Sequence, residues 1–199
     1  MKISISPSVF LMGAIILISG QFKQMLIPIA AALLHELGHI SFAFLFNIKI
    51  ERIEFNLFGA IIKVKPFSCS YTREAMLAAA GPLSNIMSIF TSILYIKYIT
   101  GDSNSDIILF IVSSALFAII NLLPAEDFDG GRILYCYLLS RLPLYAATRA
   151  LEWLSLLCVF FLWSLSVYFI IRTGSYLSLF IFSGSLFSKI FLLHERKRD

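Results

Sequence analysis

Long uncharged runs alternate with short charged clusters along the whole chain. Ile3 to Phe22 carries no charge, and Gln24 to Ile48 carries only Glu36. Ala75 to Ile96, Ile107 to Ala125, Trp153 to Ile171 and Thr173 to Ser188 carry none. A helix needs about 17–25 apolar residues to cross a bilayer, so each run is a candidate span. The last reaches that length by continuing past Lys189, whose amine can snorkel to the interface. The pattern predicts an all-α membrane protein of six transmembrane helices, over about 5–22, 25–47, 75–96, 107–123, 153–171 and 174–193. No small-residue cleavage site follows the first run, so it reads as an anchor and not a signal peptide. Residues 1–199 read as one polytopic domain without internal repeats.

One segment breaks the helical pattern. In "IKIERIEFNLFGAIIKVK", Ile53, Phe55 and Leu57 alternate with Glu54 and Asn56, and Ile62 and Val64 alternate with Lys63 and Lys65. Period-two alternation interrupted at Gly59 predicts a small β-hairpin or sheet, cytoplasmic or membrane-associated, ended by Pro66. An open strand edge there could take an extended peptide by adding a strand.

Composition sharpens this picture. The chain is 59% hydrophobic and only 14% charged, where a soluble domain carries roughly a quarter charged residues. With six spans and a cytoplasmic N-terminus, thirteen of the 16 basic residues fall on the inside and only Lys23, Lys97 and Arg172 fall outside. Basic residues favour the cytoplasmic side, so both termini are predicted to be cytoplasmic. The net charge of +4 is thereby a topology signal, and no nucleic-acid partner is expected. Cys69, Cys136 and Cys158 form no CxxC pair and predict no disulfide framework.

The second run holds the chemistry. Within "LIPIAAALLHELGHISFAFLF" (Leu26 to Phe46) sit His35, Glu36 and His39. An acidic residue at the centre of a membrane helix costs roughly 3 kcal/mol, and each Leu, Ile or Phe returns about 0.3–0.6. Eleven such residues in the segment still favour insertion. The polar group must then face protein or a water-filled pocket. Residues four apart share a helix face, so His35 and His39 can hold one metal ion, and Glu36 lies beside them. This H-E-x-x-H arrangement is that of zinc peptidases, in which the glutamate acts as general base toward a zinc-activated water. A catalytic zinc takes three protein ligands. His194 lies in the basic tail, far from the membrane centre, which leaves Asp129 as the best third ligand. Glu126 and Asp127 read as solvated loop charges. Asp129 follows Asn121 and Pro124 in "NLLPAEDFDGGR", ahead of an apolar helix too short to span. At the start of the third span, Ala78 to Gly81 read as a close helix-packing surface, and Asn85 places an amide at membrane depth.

"HELGH" in a transmembrane helix, with "NLLPAEDFDGGR" downstream, resembles the site-2 protease family of intramembrane zinc metalloproteases. The matching positions are His35, Glu36, His39, Asn121, Pro124, Asp129 and Gly130. The resemblance implies a Zn2+ cofactor on His35, His39 and Asp129, with Glu36 catalytic and Asn121 binding substrate. It covers nearly the whole chain and is nearest to the stage IV sporulation branch, which processes a membrane-associated pro-sigma factor. That branch commonly carries a CBS domain and a proline where this chain has Asp127; here the chain stops at Asp199, and no PDZ domain is visible. The implied partners are the lipid bilayer, a membrane-associated or transmembrane protein substrate and a membrane inhibitor protein. Two other readings remain at this stage. A divalent-cation transporter would use His and Asp as an ion path, and a non-catalytic membrane scaffold would be indifferent to Glu36.

Overall fold

The computed structural model describes residues 2–5, 22–48, 50–56, 59–64, 70–101, 104–173 and 180–188. They fall into two compact units, Met1–Leu122 and Leu123–Asp199.

In the first unit a three-stranded sheet accompanies three helices. Strand β1 (Lys2–Ile5) pairs in parallel with β2 (Ile50–Asn56), which pairs antiparallel with β3 (Gly59–Val64). The sheet order is β1-β2-β3, and an irregularity lies between Ile50 and Arg52. β1 differs from the expected first span, since Ile5 belongs to a strand; the alternation in "KISI" is strand-like. The rest of that span, before Phe22, lies outside the described residues.

Helix α1 (Phe22–Leu45) and helix α2 (Tyr71–Tyr95) match the second and third expected spans. α1 ends on Asn47 in the left-handed region, φ 52°, a conformation that asparagine tolerates. The Ile48 amide then donates to the Ala43 carbonyl (2.8 Å), and Ala43, Ile48 and Leu77 form a small buried cluster. This is a Schellman closure with its apolar contact. α2 is capped by Ser70, whose Oγ accepts from the Arg73 amide. It runs on through a π-helical turn, Ile96–Thr100, and stops at Gly101, φ 69°. Helix α3 (Ser105–Asn121) starts from an Asn104 cap and ends where Pro124 prevents continuation.

α1 and α2 approach closely. A Cβ on Gly38 would lie 2.5 Å from the Ala80 carbonyl and 2.7 Å from Ser84 Oγ. Ser84 Oγ also lies 2.8 Å from the Leu34 carbonyl and 2.7 Å from that of Gly81, to which it donates. Small residues thus let the backbones meet, as expected at membrane depth.

The second unit contains helix α4 (Asp129–Leu139), helix α5 (Leu144–Thr173) and a helical segment, α6, over 180–188. α5 begins nine residues before the expected Trp153, because "LYAATRALE" is rich in good helix formers and its charges do not interrupt a helix. Ala125, Val159 and Leu186 form its core, with Phe128, Leu156, Cys158 and Phe182 packed around them. Ser166 and Ser183, both buried, share a 3.1 Å hydrogen bond between α5 and α6.

Three described helices, at Gln24–Leu45, Tyr71–Ile99 and Leu144–Arg172, are long and apolar enough to cross a membrane. α3 is apolar but shorter, at 17 residues. Of the expected last span, 180–188 is helical and the remainder lies outside the described residues. Cys69 and His194 also lie outside them. Among the described residues no disulfide forms; Cys136 is buried on α4 and Cys158 half-buried on α5.

Candidate metal centre

His35 and His39, one turn apart on α1, are 4% and 7% exposed. Their Nε2 atoms face each other at 3.2 Å, with ring planes at 81°. The distal nitrogens are held by α2, which runs antiparallel alongside. His39 Nδ1 donates to the Leu77 carbonyl at 2.8 Å. A carbonyl only accepts, so this bond places the His39 proton on Nδ1 and leaves a lone pair on Nε2. His35 Nδ1 lies 3.4 Å from Asn85 Nδ2, and Asn85 is fully buried.

Between these two contacts stands Gly81. A Cβ built there would collide with His39 Nε2 and lie 2.7 Å from His35 Nε2. The missing side chain therefore opens space directly in front of both nitrogens. Leu77, Gly81 and Asn85 are spaced by four residues and form one face of α2 against one face of α1.

The donor set fits a divalent transition ion. Zinc–nitrogen bonds of about 2.0–2.1 Å at tetrahedral angles place two imidazole nitrogens about 3.3 Å apart. The observed 3.2 Å matches this, the rings are buried, and Gly81 leaves room beside them. Each ring also has a polar group at its far nitrogen, the arrangement that orients metal-bound histidines.

The other expected residues are placed as follows. Glu36 is half-buried on α1, next to His35. Asn121 closes α3, half-buried, with Nδ2 donating to the Phe117 carbonyl at 3.0 Å. Asp129 opens α4 in the second unit and is half-buried. The turn before it is fixed by two contacts. The Glu126 amide donates to the buried Ser155 Oγ at 3.0 Å, and a Cβ on Gly131 would collide with the Ala125 carbonyl. Glu126 is half-buried and Asp127 exposed. The sequence reading missed the close approach of Gly81 to both imidazole rings and the contacts of Leu77 and Asn85. The available signal was their four-residue spacing, opposite the same spacing in the H-E-x-x-H helix.

No protein-family model matches the chain. Its fold is that of a site-2 protease from Methanocaldococcus jannaschii, with a TM-score of 0.62 over 92% of this chain and 83% of that one, at 20% identity. In sequence, the chain is homologous to stage IV sporulation protein FB of Bacillus subtilis (strain 168), with 30% identity over 151 residues. The match takes in 75% of this chain and 52% of the relative, so the chain spans about half the length of that protein.

Proposed function

We propose that the chain is an intramembrane zinc metalloprotease that hydrolyses peptide bonds in or near the membrane. The observation that carries this reading is the pair of buried imidazole nitrogens facing each other at 3.2 Å across the bare Cα of Gly81. The fold shared with a site-2 protease and the homology to stage IV sporulation protein FB support it.

His35, His39 and Asp129 would hold the ion; two imidazoles and a carboxylate leave a fourth position open. Zinc bound there supplies a Lewis acid that polarises the scissile carbonyl and acidifies a water. Glu36 takes the proton of the attacking water and returns it to the leaving amine nitrogen. The Leu77 carbonyl keeps His39 in the tautomer that offers Nε2. Asn121 orients the substrate chain, and β3, an edge strand of the sheet, holds it in extended form by strand addition. A transmembrane or membrane-associated protein is the substrate class, with a pro-sigma factor the specific proposal from the sporulation relative, and a membrane inhibitor protein is a proposed regulator. The protein is placed in the bilayer as a multi-pass protein with both termini cytoplasmic.

Metal content of the purified chain tests the ligand set. One zinc per chain is expected, lost or strongly weakened in Asp129→Ala; full zinc in that variant removes Asp129 as a ligand. Glu36→Gln is expected to keep zinc and to lose about 10²–10⁴-fold in cleavage rate. Cleavage at the natural rate would remove Glu36 from its role. Zinc flux into liposomes without proteolysis would favour a transporter.

A further inference from the structure

Asn85 is an amide buried without exposure at membrane depth, with its nearest side-chain partner the outer nitrogen of His35. Its Oδ1 is buried and has no hydrogen-bond partner among the described residues. Burying an amide is unfavourable unless its polar atoms are used, and helix packing alone would be served by alanine. The two ends of an amide exchange places on a half-turn about Cβ–Cγ, so Asn85 can present either Nδ2 or Oδ1 to the ring. The choice sets the chemistry of His35. With Nδ2 donating, Nδ1 is the acceptor, the ring proton sits on Nε2, and the nitrogen facing His39 carries no lone pair. With Oδ1 accepting, the proton sits on Nδ1 and Nε2 is a ligand. His39 is already in this second form, through the Leu77 carbonyl two positions away on the same face of α2.

We infer that Asn85 is a positioning residue of the metal centre: its Oδ1 accepts from His35 Nδ1–H when His35 ligates, as the Leu77 carbonyl accepts from His39. α2 thereby supplies both outer partners of the pair, one from backbone and one from side chain, with Gly81 leaving space between them. An amide differs here from a backbone carbonyl. It can serve either tautomer of His35, so the polar pair stays satisfied however the ring is protonated. The inference rests on the proposed zinc site, and it concerns the tautomer of one ligand and not the identity of the ligands.

The test uses the full chain in detergent micelles, with zinc affinity measured by competition against a chromophoric chelator and with ¹⁵N spectra of histidine-labelled, zinc-loaded protein. In the natural chain both ligand rings should carry their proton on Nδ1. Asn85→Leu, which keeps the volume and removes the acceptor, should bind zinc about 10–100-fold more weakly. Asn85→Asp, which only accepts, should restore affinity to at least the natural level and keep the Nδ1–H signals. Restoration by aspartate separates a hydrogen-bonding role from a packing role. Natural zinc affinity in a folded Asn85→Leu variant overturns the inference. If that variant does not fold, a ligand ring with its proton on Nε2 in the zinc-loaded natural chain overturns it equally. A natural chain that binds no zinc overturns the parent reading and this one with it; zinc binding with an insensitive Asn85 overturns this one alone.

Discussion

Gly81 shows how much a single absent side chain can decide. The atoms a Cβ would strike there belong to the imidazole rings of His39 and His35, the two facing nitrogens among them. In Gly81→Ala, α1 and α2 must part or the rings must rotate away. Overpacking of this kind costs about 1–3 kcal/mol. If that cost falls on the ligand geometry, zinc affinity drops by about 10–100-fold, at 1.4 kcal/mol per factor of ten. Chelator competition measures this directly, and unchanged affinity in Gly81→Ala would mean that the metal does not sit in front of these nitrogens. His35, Glu36 and His39 were legible in the sequence because their geometry is local: four residues along a helix bring two side chains together wherever that helix sits. The shell around them was not. The Leu77 carbonyl carries no sequence signal at all, since every residue has one. Gly81 sits in an alanine-rich stretch that reads equally well as a packing surface. Only the antiparallel meeting of α1 with α2 assigns Leu77, Gly81 and Asn85 to the rings they serve.

At the scale of elements, the segment between α3 and α4 must deliver Asp129 at a defined place. It does so within one compact unit. The Phe128 amide returns to the Ala125 carbonyl at 2.9 Å, the Glu126 amide is satisfied by Ser155 of α5, and Gly131 lets the first turn of α4 lie against Ala125. Ser155 is fully buried. Ser155→Ala would remove the acceptor of this partly buried amide, a loss that costs about 1–3 kcal/mol. A lower thermal transition is expected, together with weaker zinc binding if Asp129 is a ligand. An unchanged transition would show that the turn does not depend on this bond. Element boundaries explain most of what the hydrophobic pattern left unread. Lys2–Ile5 alternates over only four residues before a long apolar run, so the run masks the strand. Its partner, β2, is 50 residues away in register, Lys2 opposite Arg52. α5 extends back to Leu144 because charge clusters mark where a span leaves the membrane, whereas helix propensity decides where the helix begins.

At the scale of the molecule, the sheet constrains topology independently of charge. β1 and β2 are hydrogen-bonded neighbours, so residues 2–5 and 50–56 must lie on the same side of any membrane the chain crosses. Backbone hydrogen bonds between strands cannot be made through hydrocarbon. α1 lies between them and is long enough to cross; an even number of crossings between the two strands is then required. α2 is long and apolar enough to cross in its turn, and a crossing there would carry Lys97 to the face opposite the sheet. α4, at 11 residues, is about 16 Å long against a hydrocarbon core of about 30 Å, so it does not cross. In the proposed orientation the sheet side is the cytoplasmic one, the side that basic residues favour. Single cysteines in a background lacking Cys69, Cys136 and Cys158 test both statements with a membrane-impermeant maleimide on intact cells. Lys97→Cys is expected to label from outside, and Lys2→Cys only after permeabilisation. The reverse pattern would overturn the orientation drawn from charge and leave the sheet argument standing. Labelling of both positions from one side would overturn the crossing of α2, and with it the burial of His35 and His39 at membrane depth.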